Sequence, residues 1–512
     1  MNKFRSRSAL AALTASALLA TACGSGKTDT SDGAPSDGGV SESSLPDCPV
    51  DAFTTADGTT EVVVWTSFVG ATLATLKGIA ADYNASQDKV SVRVENQGIT
   101  YPELRKQFET AVSAKQLPAI VTGEDTWTQY MIDNGVTMPA QACINADDDE
   151  RANAYDDMLP GVTAAYTASE VLWPGAFGAS TVVLYFNTDH FVQAGLDPQN
   201  PPKTYEELKA AAEKLQATLG ATNPDYKALA LRLDSWFVEN TTSAMGETFV
   251  NNANGRNGKR ATESTIDNPA TVDMLNWLAT MKDAGLLNAV ESSSFIDHYL
   301  AVATKASSML LETSTSATLV DQITGSAGGI NLSDILDEET AKQFESFNGI
   351  SVDIKVGVGE GPSLEAGKGG NGQVAGSAFY LTNTGSDAVV AGAWDFLKYF
   401  NETQNQVRWT REGSYMPTRA AAVEALDADP TWAASQRGQW INTAYESMKT
   451  LDPEFPGPLA GPYAKIRDIV QASLEAIALP NDGGAAARVQ PALDNAAAEI
   501  TAALEQYNKT TR

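Results

Sequence analysis

Residues 178–187, Gly178-Ala179-Ser180-Thr181-Val182-Val183-Leu184-Tyr185-Phe186-Asn187, decide how the chain is read. From Thr181 to Phe186 the run is β-branched and aromatic, the pattern of a buried strand. Two small residues and a hydroxyl lead into it. Turn chemistry follows at Ala194-Gly195-Leu196-Asp197-Pro198-Gln199-Asn200-Pro201-Pro202. Thr204 is then a good N-cap, with Glu207 three residues on as its capping-box partner. Taken alone, the stretch says buried strand, turn, helix.

Upstream, Glu61 to Thr66 reads as a buried first strand, and Leu73, Leu76, Ala80 and Tyr83 fit one helix face. Val90, Val92 and Val94 alternate as a strand does, Leu104, Phe108, Ala111 and Val112 form the next helical face, and a short strand follows Pro118. This βαβαβα order implies a parallel sheet with helices on its faces, and in such sheets ligands sit beyond the carboxyl ends of the strands. Downstream, a helix is expected at 205–217, a strand at 229–233 and a turn at 251–259. Val272, Leu275, Leu278 and Met281 mark another helix, and strands follow at 307–311 and 376–381. A helix is expected at 386–400, after which the chain is mostly helical. In the helix expected at 463–479, Ile466, Ile469, Val470 and Leu474 form the apolar face, and Arg467 lies off its centre.

The chain has 512 residues, 43% hydrophobic and 19% charged, enough for two or three domains. Lys3, Arg5 and Arg7 precede an apolar stretch, 9–20, that is too short to span a bilayer. With Ala20-Thr21-Ala22-Cys23 it looks like a bacterial lipoprotein signal: residues 1–22 are removed and Cys23 is lipidated. Ordinary secretory cleavage near Ala22 is the alternative. Residues 24–47 are rich in Gly, Ser, Asp and Thr and cannot offset their ordering entropy by burial. Residues 23–59 are therefore expected to form a flexible tether. The expected location is extracytoplasmic, lipid-anchored to the bacterial cell membrane.

The 64 acids outnumber the 35 lysines and arginines, for a net charge of −29. That repels nucleic acid and anionic surfaces, and an anionic solute would need local donors against it. Besides Cys23, two cysteines remain, Cys48 and Cys143. Outside the cytoplasm a disulfide between them is expected rather than two free thiols.

Catalytic signatures are missing. There are two histidines, and no nucleophile elbow, His-Glu-x-x-His, Walker loop or dinucleotide fingerprint. Asp147-Asp148-Asp149-Glu150 lacks the alternation and glycine of a calcium loop and reads as a solvated loop. No cofactor and no metal is expected. A hydrolase built on a carboxylate pair stays open among so many acids, but no pair stands out. Trp65, Trp127, Trp173, Trp236 and Trp409 are candidate aromatic platforms for a solute, with core packing as the other reading of each.

Several stretches, in order, resemble the family-1 extracellular solute-binding proteins of bacterial ABC importers, and among them the glycerol-3-phosphate and glycerophosphodiester binders. They are Thr100-Tyr101-Pro102-Glu103-Leu104, the run 118–125 (Pro-Ala-Ile-Val-Thr-Gly-Glu-Asp), Ser180-Thr181 with its strand, Gly376-Ser377, Gly413-Ser414-Tyr415-Met416-Pro417 and Lys465-Ile466-Arg467. The resemblance implies an α/β, two-lobed periplasmic-binding-protein-like fold with about three crossovers and a ligand cleft between lobes. Lobe one is expected at 60–181 and 366–400, lobe two at 182–365 and 401–512.

By the same resemblance, Tyr101 and Glu124 bind ligand hydroxyls at the mouth of the first lobe, and Ser180 donates near the crossover. Ser314 and the backbone at Gly376 face the cleft, and Trp236 lines it. Tyr415 and Arg467 come from the second lobe and meet a phosphate. The chain departs from the family at Glu239, where a second tryptophan is usual, at Gly178 and Ala179, and at Ser314-Thr315-Ser316. An oligosaccharide or other polyol therefore stands beside the glycerophosphate reading. The implied protein is a monomeric, non-catalytic substrate-binding lipoprotein that hands a small polar solute to a membrane permease. A secreted hydrolase and an adhesion or scaffold lipoprotein are the alternatives from other classes.

Overall fold

The structure is a computed structural model that describes residues 44–294, 296–325 and 352–511, with a few isolated positions between 329 and 350. Cys23 and the expected signal segment lie outside the described residues, as does most of the tether. Strands are numbered β1 (Thr60–Thr66), β2 (Val90–Asn96), β3 (Ile120–Gly123), β4 (Thr167–Ala168), β5 (Val171–Leu172), β6 (Ala176–Ser180), β7 (Val182–Asn187), β8 (Leu229–Arg232), β9 (Leu287–Val290), β10 (Met309–Thr313), β11 (Val356–Glu360) and β12 (Ala375–Leu381).

Two five-stranded sheets form the lobes, in the orders β2-β1-β3-β12-β6 and β11-β7-β10-β8-β9. In the first, β2, β1 and β3 run parallel, and β12 returns antiparallel to β3. In the second, β10, β8 and β9 are parallel, and β7 is antiparallel to β10. Only Thr181 separates β6 from β7, so residues 178–187 cross from one sheet to the other within a single residue. Every side chain of β7 is buried, as its β-branched run requires. The chain recrosses through 361–374 and again after Gly413, three passages in all among the described residues. Gly372 is needed in the second passage, since a Cβ there would lie 1.8 Å from the Ala244 nitrogen.

This topology collects the chemistry at one edge. The carboxyl ends of β3, β6, β8 and β10 point toward the junction. Because β12 and β7 are antiparallel to β3 and β10, their amino ends lie there too: Ala375 pairs with Ser180, and Val182 with Thr313. Apolar packing joins the two sides. One buried cluster includes Phe108, Trp127 and Phe177 from the first lobe and Tyr185, Leu310 and Trp440 from the second.

Four expectations need correction. Residues 48–59 are not tether: Cys48 is bonded to Cys143, and Val50 and Phe53 pack on the first lobe's core. The first lobe does not end at 400, because the helix Thr403–Gly413 packs against the helix Gly70–Ser86 and buries Trp409 beside Phe68 and Phe379. The acidic run near 148 is not simply solvated: Lys398 reaches Asp147 at 2.7 Å and Asp149 at 3.0 Å and docks the loop on the helix Asp387–Phe400. Trp127 and Trp409, entertained as platforms, are fully buried core residues.

Candidate functional site

Local rules place most of the polar groups. A capping box between Thr100 and Glu103 starts the helix Tyr101–Ala114 and so sets Tyr101 at its first turn. Glu124 and Asp125 follow β3 directly. Asp234, following β8, accepts from the Trp236 N–H and caps the helix Ser235–Ala244, which carries Trp236 and, three residues on, Glu239. Arg467 lies in the second turn of the helix Tyr463–Ala478.

These groups meet around Arg467, which carries 12% side-chain exposure. Its Nε donates to both oxygens of Glu239 at 3.0 Å, and its Nη2 to Glu239 at 2.9 Å and to Asp125 Oδ1 at 3.0 Å. Its Nη1 lies 3.1 Å from Glu124 Oε1. The guanidinium also sits 5.1 Å over the Tyr463 ring. Burial works against the arginine charge, but Asp125, Glu239 and Glu124 together outweigh it and hold Arg467 protonated. Glu239 is fully buried and also accepts from the Tyr463 hydroxyl and, at 3.4 Å, from Gln373 Nε2. Burial pushes its carboxyl up, against the pull of Arg467. Burial likewise pushes Glu124 up to about 7, opposed by Arg467 and assisted by Asp125, Asp234 and Glu239. One cation thus faces three carboxylates drawn from both lobes.

Tyr101 and Tyr415 form the adjoining wall, with their hydroxyls 3.3 Å apart. Tyr415 was expected from the second lobe, but it is held by the first. Its ring stacks on Trp409 with centroids 5.2 Å apart and lies 5.7 Å from Phe68. The glycines beside it make room: a Cβ on Gly178 would lie 2.9 Å from the Tyr415 ring. One on Gly376, where φ is +111°, would lie 1.8 Å from the Gly178 carbonyl oxygen. Ser314 braces the crossover, its Oγ accepting from the Thr181 N–H at 3.3 Å and its own N–H donating to the Thr181 carbonyl at 2.9 Å. Ser180 is buried at the end of β6. Trp236 is buried as well, and its indole Nε1 has no partner among the described residues.

The structure therefore joins Glu124 to Arg467 and Tyr101 to Tyr415 directly. It sets Gly376 against Tyr415 and Ser314 against the crossover, and keeps Trp236 on the helix that carries Glu239. Sequence reasoning missed Asp125, Tyr463 and the role of Glu239. The departure at 239 was the available signal.

Two more arginines from the second sheet's side reach the first lobe. Arg260 grips Asp133 with two nitrogens at 2.8 and 2.6 Å. Arg256 is delivered by a left-handed turn at Asn252, Ala253 and Asn254. It donates to the carbonyls of Ala165 at 2.8 Å and Thr167 at 3.0 Å, at the end of the helix Pro160–Tyr166.

Hydroxyl acceptors, phenolic hydroxyls and an aromatic face suit the recognition of a polar solute. Among the described residues no three His, Cys, Asp or Glu side chains are placed to share a metal ion. His190 and Ser308 do pair, at 2.6 Å, but at the opposite end of β7 and β10, where Ser308 is wholly buried. That pair is no accessible nucleophile.

Comparison with known proteins agrees with this architecture. Residues 78–437 match the family model described as bacterial extracellular solute-binding protein. The chain is similar to the sn-glycerol-3-phosphate-binding periplasmic protein UgpB of Agrobacterium fabrum, at 26% identity over 71% of this chain and 76% of that protein. It is also similar to the protein of the same name from Brucella abortus, at 25% identity over 87% and 93%. Among solved structures, UgpB from Mycobacterium tuberculosis in complex with glycerophosphocholine superposes with a TM-score of 0.67 at 17% identity, covering 88% of this chain and 99% of that one. The GacH receptor of Streptomyces glaucescens, solved unliganded and with acarbose, gives 0.65 at 17% identity over 88% and 99%.

Proposed function

The chain belongs to the bacterial extracellular solute-binding proteins, and on that footing we propose that it captures a small polar solute between its lobes and delivers it to the membrane permease of an ABC importer. The observation that carries this is the contact of Arg467, from the second lobe, with Glu124 and Asp125, from the first. Polar groups of opposite lobes converge where both sheets present their strand ends. A solute touching both sides stabilises the closed arrangement, since only differential contact shifts such an equilibrium. The candidate solutes are glycerol-3-phosphate, a glycerophosphodiester or a sugar. The relatives named for sn-glycerol-3-phosphate support the first two, and the acarbose-binding receptor of like fold supports the third.

The protein acts without a cofactor, as a binder and not a catalyst. It works as a monomer held to the cell membrane through lipid on Cys23. Among the described residues no helix is long and apolar enough to cross a membrane. Tyr101, Glu124, Ser180, Trp236, Ser314, Gly376, Tyr415 and Arg467 form the ligand-binding set. A thermal-shift panel of glycerol-3-phosphate, glycerophosphocholine, maltose and maltotriose tests the proposal. At least one should raise the melting temperature, be recovered unchanged, and compact the protein in solution scattering. Turnover of the bound compound, or indifference to the whole panel, would overturn it.

A further inference from the structure

The charge arrangement around Arg467 narrows the solute class, on the footing of the solute-binding reading above. We propose that Glu239 is a specificity-determining residue that sets the cleft against phosphate and other anions, so that the physiological solute is a neutral polyhydroxylated molecule of the sugar or polyol class.

The fork of Arg467 is the group with which a phosphate would pair. Here Glu239 occupies its Nε and one Nη2 position in the geometry a phosphate would need. Glu239 cannot withdraw into water. Its side chain is fully buried and held by Tyr463 and Gln373. An incoming anion must share the guanidinium with a fixed carboxylate, and it meets Asp125 and Glu124 on the other side. Like charges at such range in a desolvated cleft repel strongly. Specificity arises from a built-in repulsion as readily as from a new attraction.

The same groups welcome hydroxyls. Glu124 and Asp125 accept from them, and Tyr101 and Tyr415 both donate and accept. The net charge of −29 works in the same direction.

Titration calorimetry with inorganic phosphate, glycerol-3-phosphate and maltotriose on wild type, Glu239→Gln and Asp125→Asn tests this. Glu239→Gln keeps the shape and the Tyr463 contact while freeing the guanidinium. Asp125→Asn frees it from the other lobe without touching the second-lobe core, and so serves where the first variant folds poorly. Both should bind glycerol-3-phosphate and phosphate at least about tenfold more tightly than wild type, so that the preference for maltotriose over glycerol-3-phosphate falls by at least that factor. Tight binding of glycerol-3-phosphate by wild type, or no gain in either variant, overturns the proposal and leaves the solute-binding function standing. Wild type that binds no member of a wider panel of sugars, polyols and glycerophosphates overturns both.

Discussion

Arg467 Nη2 lies 2.9 Å from Glu239 Oε2, so the arginine that reaches the first lobe is already paired inside its own. Off the apolar face of its helix, Arg467 would be a surface residue worth ~0–1 kcal/mol in any pair it made. Buried beside Glu239, it is something else. Arg467→Ala leaves a buried carboxylate with Tyr463 and Gln373 as its remaining partners among the described residues. We expect a loss of about 3 kcal/mol in folding stability, read from urea unfolding. Arg467→Ala/Glu239→Gln should recover part of it. A single-variant loss below about 1 kcal/mol would mean that the pair is solvated.

Glu124 gives a pH signature. Its folded carboxyl sits at about 7 against an ordinary 4.5. Between those values the folded chain holds more proton than the unfolded one. The stabilisation from this group is therefore complete below about 4.5 and is lost as pH rises through about 7. Melting temperatures from pH 5 to 8 should fall in wild type relative to Glu124→Gln, which removes the titration. Parallel curves for the two would refute the assignment.

Among the described residues Arg256 joins the lobes through carbonyls alone. Burial pulls its guanidinium down to about 10, and besides Ala165 and Thr167 it donates to the Gly457 carbonyl at 2.6 Å. Arg256→Ala should cost at least about 2 kcal/mol, from charge-assisted hydrogen bonds lost in a dry junction. Arg256→Lys should recover less than half, because one ammonium cannot follow a fork to several oxygens. Solution scattering of the variant should show a larger radius of gyration, since the left-handed turn no longer ties the second lobe to the helix Pro160–Tyr166.

The Cys48–Cys143 bond closes a loop of 95 residues around β1, β2 and β3. Cys48→Ser/Cys143→Ser should lower unfolding stability by about 4 kcal/mol. It should also raise amide exchange at residues 48–59, which pack on the lobe's core through Val50 and Phe53. An unchanged urea midpoint would show that Val50 and Phe53 hold that segment without the bond.

What could be read from the chain itself was local. The β-branched run of β7, the capping box Thr204–Glu207 and the alternating valines of β2 each depend on neighbours within a few residues. Pattern alone therefore announces strands and helices in α/β order; that they form two lobes meeting around Tyr101, Glu124 and Arg467 is what the resemblance of those short motifs to the solute-binding family implies.

Which partner each of those side chains takes was decided only by the tertiary structure. Glu239 and Arg467 are 228 residues apart, and Asp125 and Arg467 are 342 apart. No periodicity or capping rule links positions at such separations. Tyr415 shows the same limit: its place in the first lobe follows from stacking on Trp409 and from the docking of the Thr403–Gly413 helix on Gly70–Ser86. Sequence determines which groups are available near the crossover. Packing two lobes against each other determines that three carboxylates surround one cation, because burial removes the water that would otherwise let each charge stand alone.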